Sequence, residues 1–237
     1  MNLTNKDIKN LKDKKFRRNN GYFLVEGNKF CHDLLNTNVE IVYTITTDKN
    51  LTGFPNIEIV SEKMLSSLAT TVTNQDIVCV CKKIDYGLSS IGNSLILDNL
   101  QDPGNVGTLT RSAMAFGFED IYLVGGADPY SEKVIRSSAG LIMSARIHEV
   151  SFEDIKNNKN QIADNFVVAD MSGENIDKIS LPKGKIAVIV GNEGQGVSNE
   201  MMMIADTTIS IPMSHKVESL NAGVAGSIVM QKLGVKF

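Results

Sequence analysis

Five polar residues lie in loops or helix starts that follow apolar runs, and their side chains offer the groups needed for chemistry. They are Asn105, Arg111, Glu193, Ser219 and Asn221. The set supplies one cation, one anion and several amide or hydroxyl groups. It contains no Cys-His or Ser-His pair and no cluster of metal-ligating residues. This composition points away from nucleophilic and metal-ion catalysis.

The stretch GNEGQG at 191–196 follows an apolar run and holds enough glycine to approach a phosphate through its backbone. Its order, G-x-x-G-x-G, matches neither the dinucleotide loop G-x-G-x-x-G nor the P-loop G-x-x-x-x-G-K-[ST]. No lysine follows it. The segment therefore predicts a ligand other than a triphosphate.

The second part of the chain alternates apolar strands with helices, which is typical of a parallel sheet covered on both faces. Strands are predicted over 94–100, 120–126, near 147, and over 165–170, 185–190 and 207–213. Helices are predicted over 105–117, 131–145 and 152–163, after Ser198, and over 219–233. Ligands of such sheets bind beyond the carboxyl ends of the strands. Because three of these strands end in polar loops that hold the five residues above, we expect one shared cleft.

The first part consists of smaller βα units. Helices are predicted after Thr4, over 28–35 and after Ser61, and strands over 23–27, 39–46, 57–60 and 76–84. The polar stretch 85–93, with two glycines and two serines, is the best linker candidate. We therefore predict two domains, 1–90 and 91–237.

Composition is that of an ordinary globular chain, with 42% hydrophobic and 22% charged residues among 237. There is no apolar run of membrane-spanning length, and the polar N-terminus is unlike a signal peptide, so a cytoplasmic protein is expected. Cys31, Cys79 and Cys81 cannot all pair and are interpreted as reduced structural thiols. His32, His148 and His215 are scattered and are interpreted as hydrogen-bonded structural residues.

Charge is unevenly distributed along the chain. The first 30 residues hold eight Lys or Arg and three Asp or Glu, a formal charge of +5, so the remaining 207 carry −8. Such a basic segment is suited to contacting nucleic-acid phosphates, although a solvated amphipathic helix explains it equally well. The candidate RNA contacts are Lys14, Lys15, Arg17 and Arg18.

Three motifs resemble those of the SpoU (TrmH-like) RNA 2′-O-ribose methyltransferases of the SPOUT superfamily. They are NVGTLTR (105–111), VGNEGQG (190–196) and IPMSHKVESLNAGVA (211–225), in the family order and spacing. The likeness spans residues 93–237. The segment KKFRRNNGYFLVEG (14–27) is similar to the L30e-like substrate-binding domain of the rRNA-modifying branch.

The resemblance implies a parallel α/β domain with a C-terminal trefoil knot, an exception to unknotted topology, preceded by a small L30e-like α/β domain. It also implies an S-adenosylmethionine pocket in the knot, no metal, and a homodimer with active sites at the subunit interface. The residues implied to bind the cofactor are Gly191, Gly196, Ile211, Met213 and Leu220.

For catalysis, the resemblance implies that Arg111 assists the developing alkoxide. We expect Arg111 to act as a charged group while phosphate or water takes the proton, since deprotonating a guanidinium near pH 7.5 costs about 7 kcal/mol. Asn105 would fix Arg111 or the ribose, and Ser219 and Asn221 would bind the nucleotide. Glu193 would orient Arg111 or shape its turn. Glu193 accepting N–H groups of its own turn, and Asn221 as an ordinary early-helix residue, are the simpler alternatives.

The third motif reads LNAGVA where many members of the family have LNVSVA, which loosens the helix start by about 1 kcal/mol through Gly223. The expected substrate is rRNA, and 23S rRNA in particular. A tRNA methyltransferase and a catalytically silent RNA-binding protein on the same scaffold remain as alternatives. A nicotinamide-dependent oxidoreductase is disfavoured by the glycine order.

Overall fold

The computed structural model describes residues 3–69, 76–180, 183–214 and 216–234. The chain divides into two units, Met1–Ile84 with Tyr130–Arg136 and Asp85–Pro129 with Ser137–Phe237. The domain boundary near residue 90 remains a prediction, and His215 lies outside the described residues.

A mixed sheet carries the first unit. Its elements are α1 (Asn5–Asn10), α2 (Lys14–Asn20), β1 (Tyr22–Glu26), α3 (Asn28–Leu34), β2 (Ile41–Thr46), β3 (Ile57–Ile59), α4 (Glu62–Leu68) and β4 (Ile77–Lys82). The strand order is β1-β4-β2-β3, with β4 antiparallel to both neighbours. Thr4 and Asp7 form a capping box on α1, and Ser61 caps α4, as predicted. The three cysteines are buried and free, and burial raises the pKa of the Cys81 thiol.

A six-stranded sheet carries the second unit. Its elements are β5 (Asn93–Asp98), α5 (Pro103–Ala115), β6 (Phe118–Val124), a 3₁₀ helix (Leu141–Met143), β7 (Arg146–Val150), α7 (Phe152–Asn157), α8 (Lys159–Ile162), β8 (Asn165–Asn175), β9 (Ile186–Val190), α9 (Asn199–Ile204), β10 (Thr207–Ser210) and α10 (Ala222–Leu233). Helix α6 (Glu132–Ser137) begins in the first unit and ends in the second.

The strand order β10-β8-β9-β5-β6-β7 is parallel at every neighbouring pair, which confirms the predicted parallel sheet. Every residue of β9 is buried, because helices cover both faces of a sheet of this kind. Ile96, Phe166 and Ile189 pack together in its core. The carboxyl ends of β5, β9 and β10 therefore lie at one edge, and this edge carries the three polar loops.

Two helix predictions were wrong. The segment 131–145 is not one helix but α6 followed by the short 3₁₀ helix, because Ala139 and Gly140 take left-handed backbone conformations, with φ of 54° and 87°. The terminal helix begins at Ala222 and not at Ser219. The Asn221 side chain accepts a hydrogen bond from the Val224 N–H, so Asn221 is the N-cap and Ser219 lies outside the helix.

A buried polar cluster ties the segment after Ile84 to the sheet. Asp120 of β6 accepts hydrogen bonds from Arg146 at 2.7 Å, from His148 at 2.9 Å and from the Ile91 N–H at 2.9 Å. The other ring nitrogen of His148 lies 2.8 Å from the Gly87 carbonyl oxygen. Burial raises the pKa of Asp120, but these hydrogen bonds outweigh it and hold the pKa below its usual range. His148 is thus a structural residue, as the sequence indicated.

We expect Asp120→Asn to lower the free energy of unfolding by about 3 kcal/mol at neutral pH, because it leaves buried donors facing an amide. Because the folded pKa of Asp120 is lowered, its stabilisation is full above the ordinary aspartate pKa of about 4 and is lost as the pH falls below that value. Urea unfolding at several pH values checks this, with Asp177→Asn, an exposed partner of Lys232, as the matched control. If the difference in free energy of unfolding between wild type and Asp120→Asn did not narrow on acidification, the stabilising role of the ionised Asp120 would be contradicted.

Candidate functional site

One cavity of about 590 Å³ opens at the carboxyl edge of the six-stranded sheet. Its walls come from the middle of β8, the loop after β9, the segment after β10 and the first turn of α10. All of these walls belong to the second unit. The cavity is therefore located where ligands of parallel sheets are expected to bind.

The structure brings together the five residues predicted to bind the cofactor. All of them line this cavity: Gly191, Gly196, Ile211, Met213 and Leu220. Gly191 has no room for a side chain, because a Cβ there would overlap the backbone of Gly196 and Val197. The glycine lets the two ends of the turn pass in contact.

The turn at 191–196 uses its own backbone donors. Asn192 and Gly196 exchange two backbone hydrogen bonds of 2.9 Å, and the N–H groups of Gly194 and Gln195 donate to the Asn192 side chain. Gly196 has a φ of 72°, which favours glycine. A phosphate cradle needs free N–H groups, and these are occupied. The geometry therefore agrees with the prediction of a ligand other than a triphosphate.

Glu193 bonds to a different loop from its own. Its carboxylate accepts hydrogen bonds from the N–H groups of Gln101 at 3.2 Å and Asp102 at 3.0 Å, and from the side chain of Asn105 at 3.0 Å. Partial burial raises the pKa of Glu193, but the hydrogen bonds outweigh it and lower the pKa. Glu193 is thus ionised at neutral pH and fixes the entry to α5.

A chain of side-chain hydrogen bonds continues from Glu193 through Asn105 to Asn221. The Asn221 amide donates to the Asn105 side-chain oxygen at 2.9 Å, while its own oxygen caps α10. Asn105 is 6% exposed, so its end of this link is shielded from water, whereas Asn221 is exposed. Loops after β5 and β9 and the start of α10 are therefore joined by one polar relay.

Arg111 stands apart from this relay. It lies on α5, about 120° around the helix from Asn105, and its side chain is exposed. Within the part of the chain that the structure describes, the hydrogen bonds of Glu193 go to Gln101, Asp102 and Asn105, and none goes to Arg111. The expected role of Glu193 in orienting Arg111 therefore has no hydrogen bond behind it in this chain and stays a prediction. Ser219 is exposed and lines the cavity beside Asn221.

Two further carboxylates, Asp98 and Asp170, lie at the glycine turn and the cavity. Asp98, at the end of β5, is buried and accepts a hydrogen bond of 2.7 Å from the Ser198 N–H, which closes the far side of the glycine turn. Asp170 lines the cavity and was missed, although a polar residue near the carboxyl end of an apolar strand was the available signal.

The four predicted RNA contacts do not share one environment. Lys14, Lys15 and Arg18 are exposed on α2. Arg17 is buried, and its guanidinium donates a hydrogen bond to the Leu11 carbonyl. We therefore assign Arg17 to the fold and keep the other three as candidate RNA contacts.

Metal-binding clusters and membrane-spanning helices are both absent from the described residues. Among them, no group of three or more His, Cys, Asp or Glu side chains is arranged to hold a metal ion. No helix that the structure describes has the length and apolarity required to cross a bilayer.

Comparisons with known proteins agree with the motifs. Residues 92–231 match the SpoU rRNA Methylase family, and residues 2–79 match the MRM3-like substrate binding domain. The chain is 30% identical to the 23S rRNA (guanosine(2553)-2'-O)-methyltransferase RlmP of Bacillus subtilis, over 96% of this chain and 94% of that protein.

Solved structures give the same result. An AdoMet-bound rRNA methyltransferase from Sinorhizobium meliloti is 26% identical, with a TM-score of 0.84 over 97% of this chain and 93% of that one. The SpoU methyltransferase AviRb from Streptomyces viridochromogenes shares the fold, with a TM-score of 0.85 over 98% of this chain and 97% of that one at 21% identity. The chain therefore belongs to the SpoU rRNA Methylase family.

Proposed function

We propose that this protein transfers a methyl group from S-adenosylmethionine to a ribose 2′-hydroxyl of RNA, with 23S rRNA as the substrate. The observation that carries the proposal is the cavity at the sheet edge, because the family's second and third motifs build its walls. The N-terminal match to a substrate-binding domain and the likeness to RlmP support rRNA over tRNA. Such a substrate would place the protein in the cytoplasm.

The cavity suits an adenosyl cofactor. Ile211, Met213 and Leu220 offer apolar surface to a base and ribose, and the glycine turn keeps one wall flat. None of the described lining residues is a Lys or Arg, so nothing there selects a phosphate. When bound, S-adenosylmethionine supplies an activated methyl group on a sulfonium. Gly191, Gly196, Ile211, Met213 and Leu220 would hold it.

We assign the charge stabilisation of the reaction to Arg111. A guanidinium keeps its proton at neutral pH, so Arg111 acts as a fixed cation beside the developing alkoxide, and phosphate or water takes the proton. Ser219 and Asn221 bind the reacting nucleotide. The Ser219 hydroxyl makes no hydrogen bond to any residue that the structure describes and is available to a ligand.

We infer a homodimer in which Arg111 serves the partner's cavity. In its own chain Arg111 is exposed and makes no hydrogen bond to Glu193 or Asn105. Exposed Val224 and Ile228 on the adjoining helix α10 offer apolar surface for a second copy. The family's C-terminal trefoil knot is part of the same proposal, supported by the order β10-β8-β9 and by the Asn105–Asn221 link.

Two measurements test the proposal directly. Isothermal titration with S-adenosylmethionine should show binding at one site per chain, and mapping ribose methylation in total RNA from cells with and without the protein should reveal one lost 23S rRNA site. RNA binding without cofactor binding would favour a catalytically silent protein. A lost site in tRNA would replace the rRNA assignment.

We expect Arg111→Ala to lower methyl transfer by at least about a hundredfold, because the cation that faces the alkoxide is gone. Cofactor affinity should stay within a few fold of wild type in titration calorimetry. Arg136→Ala, which removes an exposed arginine paired with Glu132, is the matched control. Loss of cofactor binding in Arg111→Ala would make the arginine structural and refute the catalytic role.

We expect Glu193→Gln to lower methyl transfer at least about tenfold and stability by only about 1 kcal/mol, because the carboxylate is partly exposed. The lowered pKa of Glu193 keeps it charged above about pH 5, so its ionisation should leave no inflection between pH 6 and 9. Rate measurements across pH check this, and Glu218→Gln serves as the control for unfolding alone. Wild-type rates in Glu193→Gln would exclude the positioning role.

We expect the triple variant Lys14→Ala, Lys15→Ala, Arg18→Ala to weaken RNA binding and to flatten its salt dependence by a slope of about 2, since each lost phosphate contact removes about 0.7–0.9. Filter binding over a series of KCl concentrations measures the slope. The matched control removes three exposed lysines of the second unit, Lys156, Lys178 and Lys232. An unchanged slope in the first variant would move the RNA contact elsewhere.

A further inference from the structure

Strand β8 leaves the sheet where it reaches the cavity. Val168 pairs with Thr208 of β10, yet the next β10 residue, Ile209, pairs with Glu174. The five residues 169–173 are therefore left out of the ladder between two consecutive pairs. Bulges of this kind redirect side chains beside functional sites.

The bulge is held in a defined shape. The Ser210 hydroxyl donates a hydrogen bond of 2.8 Å to the Gly173 carbonyl, where the strand rejoins the sheet. At the other end, one carboxylate oxygen of Asp170 accepts hydrogen bonds from the N–H and hydroxyl of Ser172, at 2.9 and 2.7 Å. These contacts fix the orientation of the Asp170 side chain.

The second carboxylate oxygen of Asp170 has no hydrogen-bond donor among the described residues. It faces the glycine turn, 4.0 Å from the position a Cβ would take on Gly196, and Asp170 lines the cavity. The half-buried carboxylate thus presents an oxygen with free lone pairs to whatever occupies the cavity.

The charged side chains among the described lining residues of the cavity are all acidic. Asp170, Glu193 and Glu218 line it, with no Lys or Arg among its described lining residues. Glu193 is already engaged by hydrogen bonds from the loop after β5. Glu218 is exposed, in a segment without regular structure. Asp170 is therefore the carboxylate that is both fixed and available.

The methyl donor and its product differ in charge at one atom. S-adenosylmethionine carries a sulfonium cation, whereas S-adenosylhomocysteine, the product left after transfer, carries a neutral thioether. A negative charge about 6 Å away at an effective dielectric constant of about 40 favours the cation by about tenfold. Hydroxyl, adenine and ammonium donors are the same in both molecules and cannot create such a preference.

We propose that Asp170 is a specificity-determining residue that favours the sulfonium cofactor over its demethylated product. This inference rests on the proposed function. In physical terms, the bulge of β8 holds a carboxylate against the cavity so that the product, once formed, binds less tightly than the donor that replaces it.

The test compares the affinities of both molecules for wild type, Asp170→Asn and Ser172→Ala by titration calorimetry. The amide introduced by Asp170→Asn retains an acceptor for Ser172, so the unfolding temperature should stay near that of wild type. We expect Asp170→Asn to lower the affinity for S-adenosylmethionine about tenfold and the affinity for S-adenosylhomocysteine less than about twofold. Ser172→Ala keeps the charge and should leave the ratio of the two affinities unchanged.

If Asp170→Asn lowered the affinity for both molecules equally, the proposal would be overturned, since Asp170 would then contact a group that both molecules carry. If Ser172→Ala changed the ratio of the two affinities as much as Asp170→Asn does, the preference would come from the shape of the bulge and not from the charge of Asp170. A second test uses the wild-type protein alone. Raising KCl from about 50 to about 500 mM should weaken the binding of S-adenosylmethionine more than that of S-adenosylhomocysteine. Equal salt dependence of the two affinities would also overturn the proposal. A wild type that binds neither molecule refutes the proposed function itself, whereas binding of both with an unchanged ratio in Asp170→Asn refutes only this inference.

Discussion

The carboxylate of Glu193 is the interaction on which the candidate site depends. It comes from the loop after β9, yet it accepts hydrogen bonds from Gln101, Asp102 and Asn105, which belong to the chain after β5. A single ionised side chain therefore sets the distance between two loops. Asn105 extends the link to Asn221 and hence to α10. Because Asn105 bonds to both Glu193 and Asn221, the three segments hold their positions together.

Close approach of backbone makes the cavity possible. Gly191 lets the two ends of the glycine turn touch, and the N–H donors of the turn are then consumed inside it. Asp98 fixes the exit of that turn through the Ser198 N–H. A wall whose turn N–H groups are occupied, and whose described residues include no Lys or Arg, is poorly suited to phosphate and well suited to a flat adenosyl group. This explains the unusual glycine order in chemical terms.

Opposite charges serve different surfaces of this chain. Exposed Lys14, Lys15 and Arg18 on α2 carry the basic character of the N-terminal segment, while the cavity is lined by carboxylates. A polyanionic substrate and a cationic cofactor have opposite electrostatic requirements. Arg17 shows that charge in the sequence is not the same as charge at the surface, since its guanidinium is used to hold the main chain.

The sequence by itself determined the parallel sheet, the capped helices and the family, because apolar periodicity, capping residues and ordered motifs are local properties. It also identified Glu193, Asn105 and Asn221. It could not show that Glu193 bonds across loops and not to Arg111, nor that Ala139 and Gly140 break a helix. It also missed the bulge that points Asp170 at the cavity. These features arise from pairings between segments distant in the chain, in some cases about 90 residues apart, and only the tertiary structure decides such pairings.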